Sequence, residues 1–333
     1  MQIRGVSATN DLDLTFRMYI TLILSFAIGF GIIYAVMFYM GADTYIILLV
    51  ALAYFIIQWY VSPKILAAAS KLHYITGNEY PQIQQFVKSA ADSAKVPVPR
   101  IAIAPAKDPN AFVFGRTRRS ATLVIHEGLL ARLNSDELKA VIEHEIGHLR
   151  HNDVIIMTMV AFIPMLAFII AQNILWAGMF NDSRNSSSYI MLLGVVAFIV
   201  YFVAEMLMLS LSRARESYAD SYSASATKKP GDLASALLKI TASGAAAPAS
   251  SNNSTVARSL YIVDFFNVEK DIKDLKTHIN EIKELVPDID INRLVSEARK
   301  NRGGPLNALN SMFATHPPTY KRIVDLARIK KDL

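Results

Sequence analysis

Four long apolar stretches constrain the fold of this chain more than any other feature of its sequence. Each of them lacks Asp, Glu, Lys and Arg: residues 18–40, 44–62, 154–180 and 186–204. The apolar pattern of the last stretch continues past Glu205 to residue 212. A helix of about 20 apolar residues is long enough to span a bilayer. The sequence therefore predicts a mostly α integral membrane protein with four transmembrane helices.

The four predicted spans pair as two hairpins and divide the chain into four segments. These are the N-terminal segment with the first hairpin (1–63), a region between the hairpins (64–153), the second hairpin (154–212) and a C-terminal region (213–333). Basic residues near the span ends are concentrated outside the two hairpin turns, which hold only Arg184. Because basic residues favour the cytoplasmic side of a membrane, we expect a multi-pass cell-membrane protein whose termini and large regions face the cytoplasm.

The net charge of +6 admits two interpretations, a nucleic-acid binder or a membrane protein with basic residues beside its spans. The densest basic run is Arg116-Thr117-Arg118-Arg119, and no aromatic residues are interleaved with it. We therefore favour the membrane protein, with the lipid bilayer as a partner and without nucleic acid. The chain contains no cysteine, which excludes disulfides, thiolate metal sites and a cysteine nucleophile.

Region 64–153 has the pattern of an α+β domain with a small sheet. Short runs rich in Ile, Val and Phe are separated by Pro, Asp, Asn and Gly, which predicts three strands, at 100–104, 111–114 and 121–125. Helices are predicted from Pro81 to about Lys95 and over residues 127–133. Ser135 is predicted to cap a longer helix that carries two acidic residues in its first turn.

This longer helix carries the motif His144-Glu145-Ile146-Gly147-His148. Two histidines four residues apart lie on one face of a helix, one turn from each other, where both can bind one cation. Glu145 lies about 100° further round the helix and can reach a metal-bound water without binding the metal itself. A bound zinc lowers the pKa of its water to about 7, so that a carboxylate can accept the proton. A surface helix with two solvated histidines is the alternative, and we consider it the weaker one.

A catalytic zinc site needs a third protein ligand and one open position. The best candidate is Glu216, in the run from Ser212 to Asp220. Asp220 lies four residues further on, on the same helical face, where it can hold the other ring nitrogen of a metal-binding histidine. The same run also matches an ordinary mixture of basic and acidic residues at a membrane boundary, and spacing alone does not separate these two interpretations.

The four-span layout, the His-Glu-Ile-Gly-His motif and the later Ser-Arg-Ala-Arg-Glu with Ala219-Asp220 resemble the HtpX family of membrane metalloproteases. These are gluzincin-type enzymes related to the CAAX prenyl proteases. The resemblance implies a cytoplasmic zincin-type catalytic domain that binds one Zn²⁺ per chain through His144, His148 and Glu216. It also implies that Glu145 is the catalytic base. The family usually has Tyr directly after the ligating Glu, whereas here Ser217 intervenes before Tyr218, so that no role is assigned to Tyr218.

Further roles follow from the same resemblance. The segment with Asn110 and Ala111 is expected on a strand edge near the substrate, whose backbone would add as an extra strand. His316, in Thr315-His316-Pro317-Pro318, matches the family's His-Pro element and is expected to stabilise the developing oxyanion. The substrates are expected to be proteins or peptides, above all membrane proteins, in protein quality control.

Two alternatives remain open from the sequence. The first is a prenyl-protein protease of the CAAX type, against which four spans argue because its relatives typically have more. The second is a non-catalytic membrane scaffold that keeps a structural zinc. Glu145 argues against the scaffold, since a structural metal site needs no base.

Overall fold

The structure is a computed structural model that describes most of the chain outside its N-terminus. It covers residues 43–153, 184–244 and 316–333 continuously, residues 274–287 except 276, residues 171–176, and single positions at 156, 168 and between 16 and 34. Most of the first and third predicted spans lies outside the described residues. The statements below concern the described residues.

Eight helices and four strands have complete bounds in this part of the chain. The helices are α1 (Thr44–Ala69), α2 (Pro81–Ala94), α3 (Glu127–Leu130), α4 (Ser135–Arg150), α5 (Arg184–Thr227), α6 (Pro230–Gly244), α7 (Ile279–Leu285) and α8 (Thr319–Asp332). The strands are β1 (His73–Tyr74), β2 (Arg100–Ala104), β3 (Ala111–Phe114) and β4 (Thr122–His126), with a 3-10 helix at Arg118–Ser120.

The four strands form one mixed sheet with the order β1-β2-β4-β3. β2 and β4 are parallel, while β1 and β3 pair antiparallel with β2 and β4 and form the two edges. β2 and β3 have the predicted bounds. β4 begins one residue later than expected, because Thr122 is the residue that pairs with Phe114 and Arg100. The edge position of β3 leaves one side of its backbone without a strand neighbour in this sheet.

A layer of helices covers the sheet and surrounds α4. α4 packs against α2, α6 and β3, and α6 in turn packs against α8. One apolar core joins these elements, and its members include residues that are fully buried: Val87, Leu123, Ile125, Ile142, Ile146, Leu233, Leu237, Ile323 and Leu326. Since α4 is packed on several sides, its motif lies inside the protein and not on a solvated surface.

The cap of α4 differs from the prediction. The structure places Asn134, not Ser135, at the N-cap: Asn134 Oδ1 accepts a hydrogen bond from the Glu137 amide at 2.9 Å, and the Glu137 carboxylate accepts one from the Asn134 amide at 2.9 Å. Asn134 takes the N-cap position in place of Ser135 because Glu137 lies three residues after it, the spacing that permits these two reciprocal hydrogen bonds. The Ser135 hydroxyl instead accepts a hydrogen bond from the Gln82 side chain at 2.7 Å. The helix predicted at 127–133 ends at Leu130, since the chain turns there before the new cap.

The described chain falls into two compact units. One comprises the described residues of 66–155 and 212–333, and it holds the sheet, α4 and every residue of the site described below. The other comprises residues 15–65 and 156–211. The division of the chain into four segments stays a prediction.

Within the described residues, one helical segment is long and apolar enough to cross a membrane, Gly194–Thr227 in α5. The apolar helix α1 carries several exposed large side chains, among them Tyr45 and Leu49. The four-span layout itself stays a prediction.

Candidate metal centre

The two motif histidines of α4 are buried and adjacent. His144 and His148 expose 1% and 8% of their surface, and their ring centroids are 4.8 Å apart with the rings nearly perpendicular. The spacing of four residues on a helix accounts for this arrangement, because it places both side chains on one face.

Glu216 of α5 completes a group of three potential ligands. Its carboxylate lies between the two rings, with Oε2 3.4 Å from His144 Nε2 and Oε1 3.4 Å from His148 Nε2. One ligand atom from each of the three residues lies within 4.8 Å of the other two. All three residues are buried. The structure thus brings together the three residues that the sequence proposed as ligands.

The donor set fits a divalent metal ion. Atoms that bind a tetrahedral metal at about 2.0–2.1 Å lie roughly 3.3 Å apart, close to the two distances from Glu216. Among the described residues, Glu216 Oε2 is buried and makes no hydrogen bond, so that this carboxylate oxygen can accept a metal ion in addition to its 3.3 Å ion-pair contact with Arg322 Nη2. The residues can therefore hold a metal ion, with two imidazole nitrogens and one carboxylate.

A carboxylate stands behind each histidine. Asp153 Oδ2 lies 2.8 Å from His148 Nδ1, and Asp220 Oδ1 lies 3.0 Å from His144 Nδ1, the second contact at an angle that falls short of a hydrogen bond. A proton on Nδ1 is attracted to its carboxylate, which leaves the lone pair of Nε2 directed at Glu216. Both rings therefore present the same nitrogen to the candidate metal position.

Asp153 was not anticipated from the sequence. It lies five residues after His148, which is off the helical face of the motif, and it reaches His148 because the chain reverses after α4. Asn152 makes this turn in the left-handed region, with φ 64°, which Asn tolerates better than most residues. An acidic residue just after a metal-motif helix is the only local signal that points to it.

Arg322 of α8 is the second residue that sequence reasoning missed. Its guanidinium donates two hydrogen bonds to Asp220, from Nε to Oδ2 at 2.8 Å and from Nη2 to Oδ1 at 2.6 Å. Nη2 is also 3.3 Å from Glu216 Oε2. Arg322 follows the His-Pro-Pro run by four residues, and no sequence period links it to residues a hundred positions earlier.

Glu145 is buried beside the histidines, with 4% of its surface exposed. Burial raises the pKa of its carboxyl group, and the neighbouring histidines offset part of that rise. A raised pKa suits a carboxylate that must accept a proton near neutral pH and release it again. Burial lowers the pKa of His148, but Asp153 and Glu216 outweigh it and raise the pKa to about 10, so that a metal must displace a proton there.

The remaining predicted residues occupy two places. His316 is buried next to the donors, with Nε2 3.6 Å from Glu216 Oε1. Asn110 and Ala111 lie at the start of the edge strand β3, where the Asn110 carbonyl accepts a hydrogen bond from the His126 amide at 2.9 Å. His316 is thus brought to the metal donors, while Asn110 and Ala111 are placed on the sheet edge.

Close packing between α4 and α5 delivers Glu216 to the histidines. A Cβ on Gly147 would lie 3.0 Å from Tyr222 Cδ1 and 3.4 Å from Ala219 Cα, so that glycine permits this approach. The Ser223 hydroxyl donates a hydrogen bond to the Ala140 carbonyl at 2.6 Å and ties the two helices together.

The chain is similar to several known proteins. The family model described as Peptidase family M48 matches residues 78–330. A Protease HtpX homolog of Moorella thermoacetica is 34% identical over 97% of this chain and 97% of its own length. One of Thermoplasma acidophilum is 38% identical over 65% of this chain and 70% of its own. Among solved structures, S. mikatae Ste24p is similar, with 18% identity, a TM-score of 0.47, and coverage of 95% of this chain and 67% of that one.

Proposed function

The chain belongs to peptidase family M48 and is a metallopeptidase, and on that basis we propose that it is a membrane-embedded zinc endopeptidase with Glu145 as its base. The observation that carries the proposal is the buried convergence of His144, His148 and Glu216 beside a buried glutamate. Two imidazoles and one carboxylate are a ligand set of catalytic zinc sites that leave the fourth position open.

His144 and His148 would hold the zinc through Nε2, and Glu216 through its carboxylate. A zinc ion in this site supplies Lewis acidity and lowers the pKa of a bound water to about 7. Asp153 and Asp220 keep the two imidazoles in the tautomer and orientation that metal binding requires. One ion per chain is expected, since the described residues contain one such group of ligands.

Glu145 accepts the proton of the attacking water on its carboxylate and delivers it to the nitrogen of the leaving amine. His316 donates a hydrogen bond to the oxygen on which negative charge develops, a role supported by its burial next to Glu216. The substrate backbone pairs with the edge strand β3 at Asn110 and Ala111, which a sheet edge permits by adding a strand.

The proposed place of action is the cytoplasmic face of the cell membrane, with four spans and both termini in the cytoplasm. In support, Glu216 lies in the C-terminal third of Gly194–Thr227, the described helical segment of α5 that is long and apolar enough to cross a bilayer. The substrates would be membrane or membrane-proximal proteins, and their degradation would serve protein quality control. Membership of a peptidase family argues against the scaffold alternative.

The test is Glu145→Gln, measured for bound zinc and for cleavage of casein by detergent-solubilised protein. We expect about one zinc per chain to remain and cleavage to fall by roughly 10²–10⁴-fold, because the amide cannot accept the proton. Glu143→Gln is the matched control, since Glu143 is a buried carboxylate of the same helix and should leave cleavage intact. Cleavage that persists in Glu145→Gln would refute the role of Glu145.

A further inference from the structure

Arg322 contacts two acidic residues of the metal centre at once. It is buried, with 2% of its surface exposed, and its guanidinium lies within 2.6–2.8 Å of Asp220 and 3.3 Å of Glu216. A buried arginine is stable only when its charge and its donors are satisfied, and here both partners belong to the metal site.

We propose that Arg322 is a positioning residue that sets His144 and Glu216 for metal binding, so that the C-terminal helix α8 is part of the metal centre. This inference rests on the proposed function, because it concerns the same zinc site. The described carboxylates of the site come from α4, α5 and the turn after α4. Arg322, 102 residues after Asp220 in the chain, adds a fixed positive group to them.

The geometry acts through Asp220. The two parallel hydrogen bonds from Nε and Nη2 fix the plane of the Asp220 carboxylate, as a bidentate arginine does. The same oxygen that accepts from Nη2, Oδ1, is the one that lies 3.0 Å from His144 Nδ1. Arg322 therefore orients Asp220, and Asp220 orients the ring of His144.

The positive charge of Arg322 is the second way in which this residue supports the site. Glu216 and Asp220 are both buried, and two carboxylates one helical turn apart repel each other in a medium of low dielectric constant. Arg322 Nη2 lies 3.3 Å from Glu216 Oε2 and 2.6 Å from Asp220 Oδ1, so its positive charge offsets this repulsion and holds the two side chains beside each other.

α8 is anchored well enough to hold a side chain in a fixed place. Ile323 directly follows Arg322, and Leu326 lies one helical turn after it. Both are fully buried in the core that also contains Leu233 and Leu237 of α6. The buried hydroxyls of Thr241 and Thr319 lie 2.9 Å apart at the start of α8. Because these contacts do not involve Arg322, a change at Arg322 can be separated from undocking of the helix.

The experiment measures zinc affinity of Arg322→Gln and Arg322→Lys by competition with a chelator, together with the visible spectrum of the Co²⁺-loaded protein. Both variants should bind zinc about 10–100-fold more weakly and show an altered spectrum, since lysine lacks the fork that fixes Asp220. In the Asp220→Asn background the loss from Arg322→Gln should be smaller than in the wild type.

Arg328→Gln is the matched control, an arginine on the same helix with a 75% exposed side chain, and it should leave zinc affinity unchanged. Folded Arg322 variants that bind zinc within about twofold of the wild type, or losses that add fully with Asp220→Asn, would overturn the inference. If Arg322→Gln does not fold, Arg322→Lys carries the test. A wild type that binds no zinc would instead overturn the proposed function.

Discussion

The motif helix α4 and the distant elements α5 and α8 contribute to one site in different ways. α4 supplies two proposed ligands and the proposed base within five consecutive residues, and helix geometry alone places them together. α5 and α8 supply Glu216, Asp220 and Arg322, which reach the same place only through packing in the core. The difference teaches that the motif provides only part of the proposed metal site, and that tertiary structure brings in the proposed third ligand and the residues that support it.

Among the changes that test this difference between α4 and the distant helices, removal of the proposed third ligand is expected to have the largest effect on zinc affinity. Glu216→Ala should lower zinc affinity by more than the 10–100-fold that loss of a supporting partner costs, because two histidines alone leave the metal with two protein ligands. Competition with a chelator measures the affinity. If affinity is unchanged, α4 suffices for zinc and Glu216 is not a ligand.

The support behind His148 gives a smaller effect. Asp153→Asn should weaken zinc binding by about 10–100-fold, since the amide no longer attracts the Nδ1 proton as a carboxylate does. The same titration measures it, and Asp136→Asn, an exposed aspartate paired with Lys229, is a suitable control. Equal affinities for Asp153→Asn and the wild type would mean that the 2.8 Å contact does not orient His148.

The smallest effect on zinc affinity is expected from a substitution in the N-cap of α4, away from the proposed metal site. Asn134→Ala removes the cap of α4 and should lower the free energy of unfolding by about 1 kcal/mol, measured by denaturation of the zinc-loaded protein in detergent. Zinc affinity should stay unchanged, and Asn134→Ser should restore most of the stability because serine also caps well. A large loss of zinc affinity in Asn134→Ala would show that the two histidines depend on the end of their helix.

The local sequence pattern was sufficient to predict several of the strands and helices around the site. Strands β2 and β3 follow from short runs that contain Ile, Val and Phe, and the start of α2 follows from Pro81, which fits a first helical turn. The two-residue strand β1 carries too little pattern to be found, and the choice between Asn134 and Ser135 as cap depended on which one Glu137 could reach. The first and third predicted spans lie mostly outside the described residues.

The sequence by itself determined which residues of the proposed site share a helical period. His144 and His148 are four residues apart, as are Glu216 and Asp220, and a helix turns such spacings into neighbours whatever else surrounds it. It also determined the position of Glu145, since one residue along a helix is a fixed rotation.

Only the tertiary structure decided how these two helical pairs meet and what stands behind them. Gly147 allows α5 to approach α4, the left-handed turn at Asn152 returns Asp153 to His148, and the docking of α8 brings Arg322 to Asp220. The physical reason is that these contacts join residues with no common period. They form because burying the apolar faces of α4, α6 and α8 in one core fixes where the polar side chains of those helices lie.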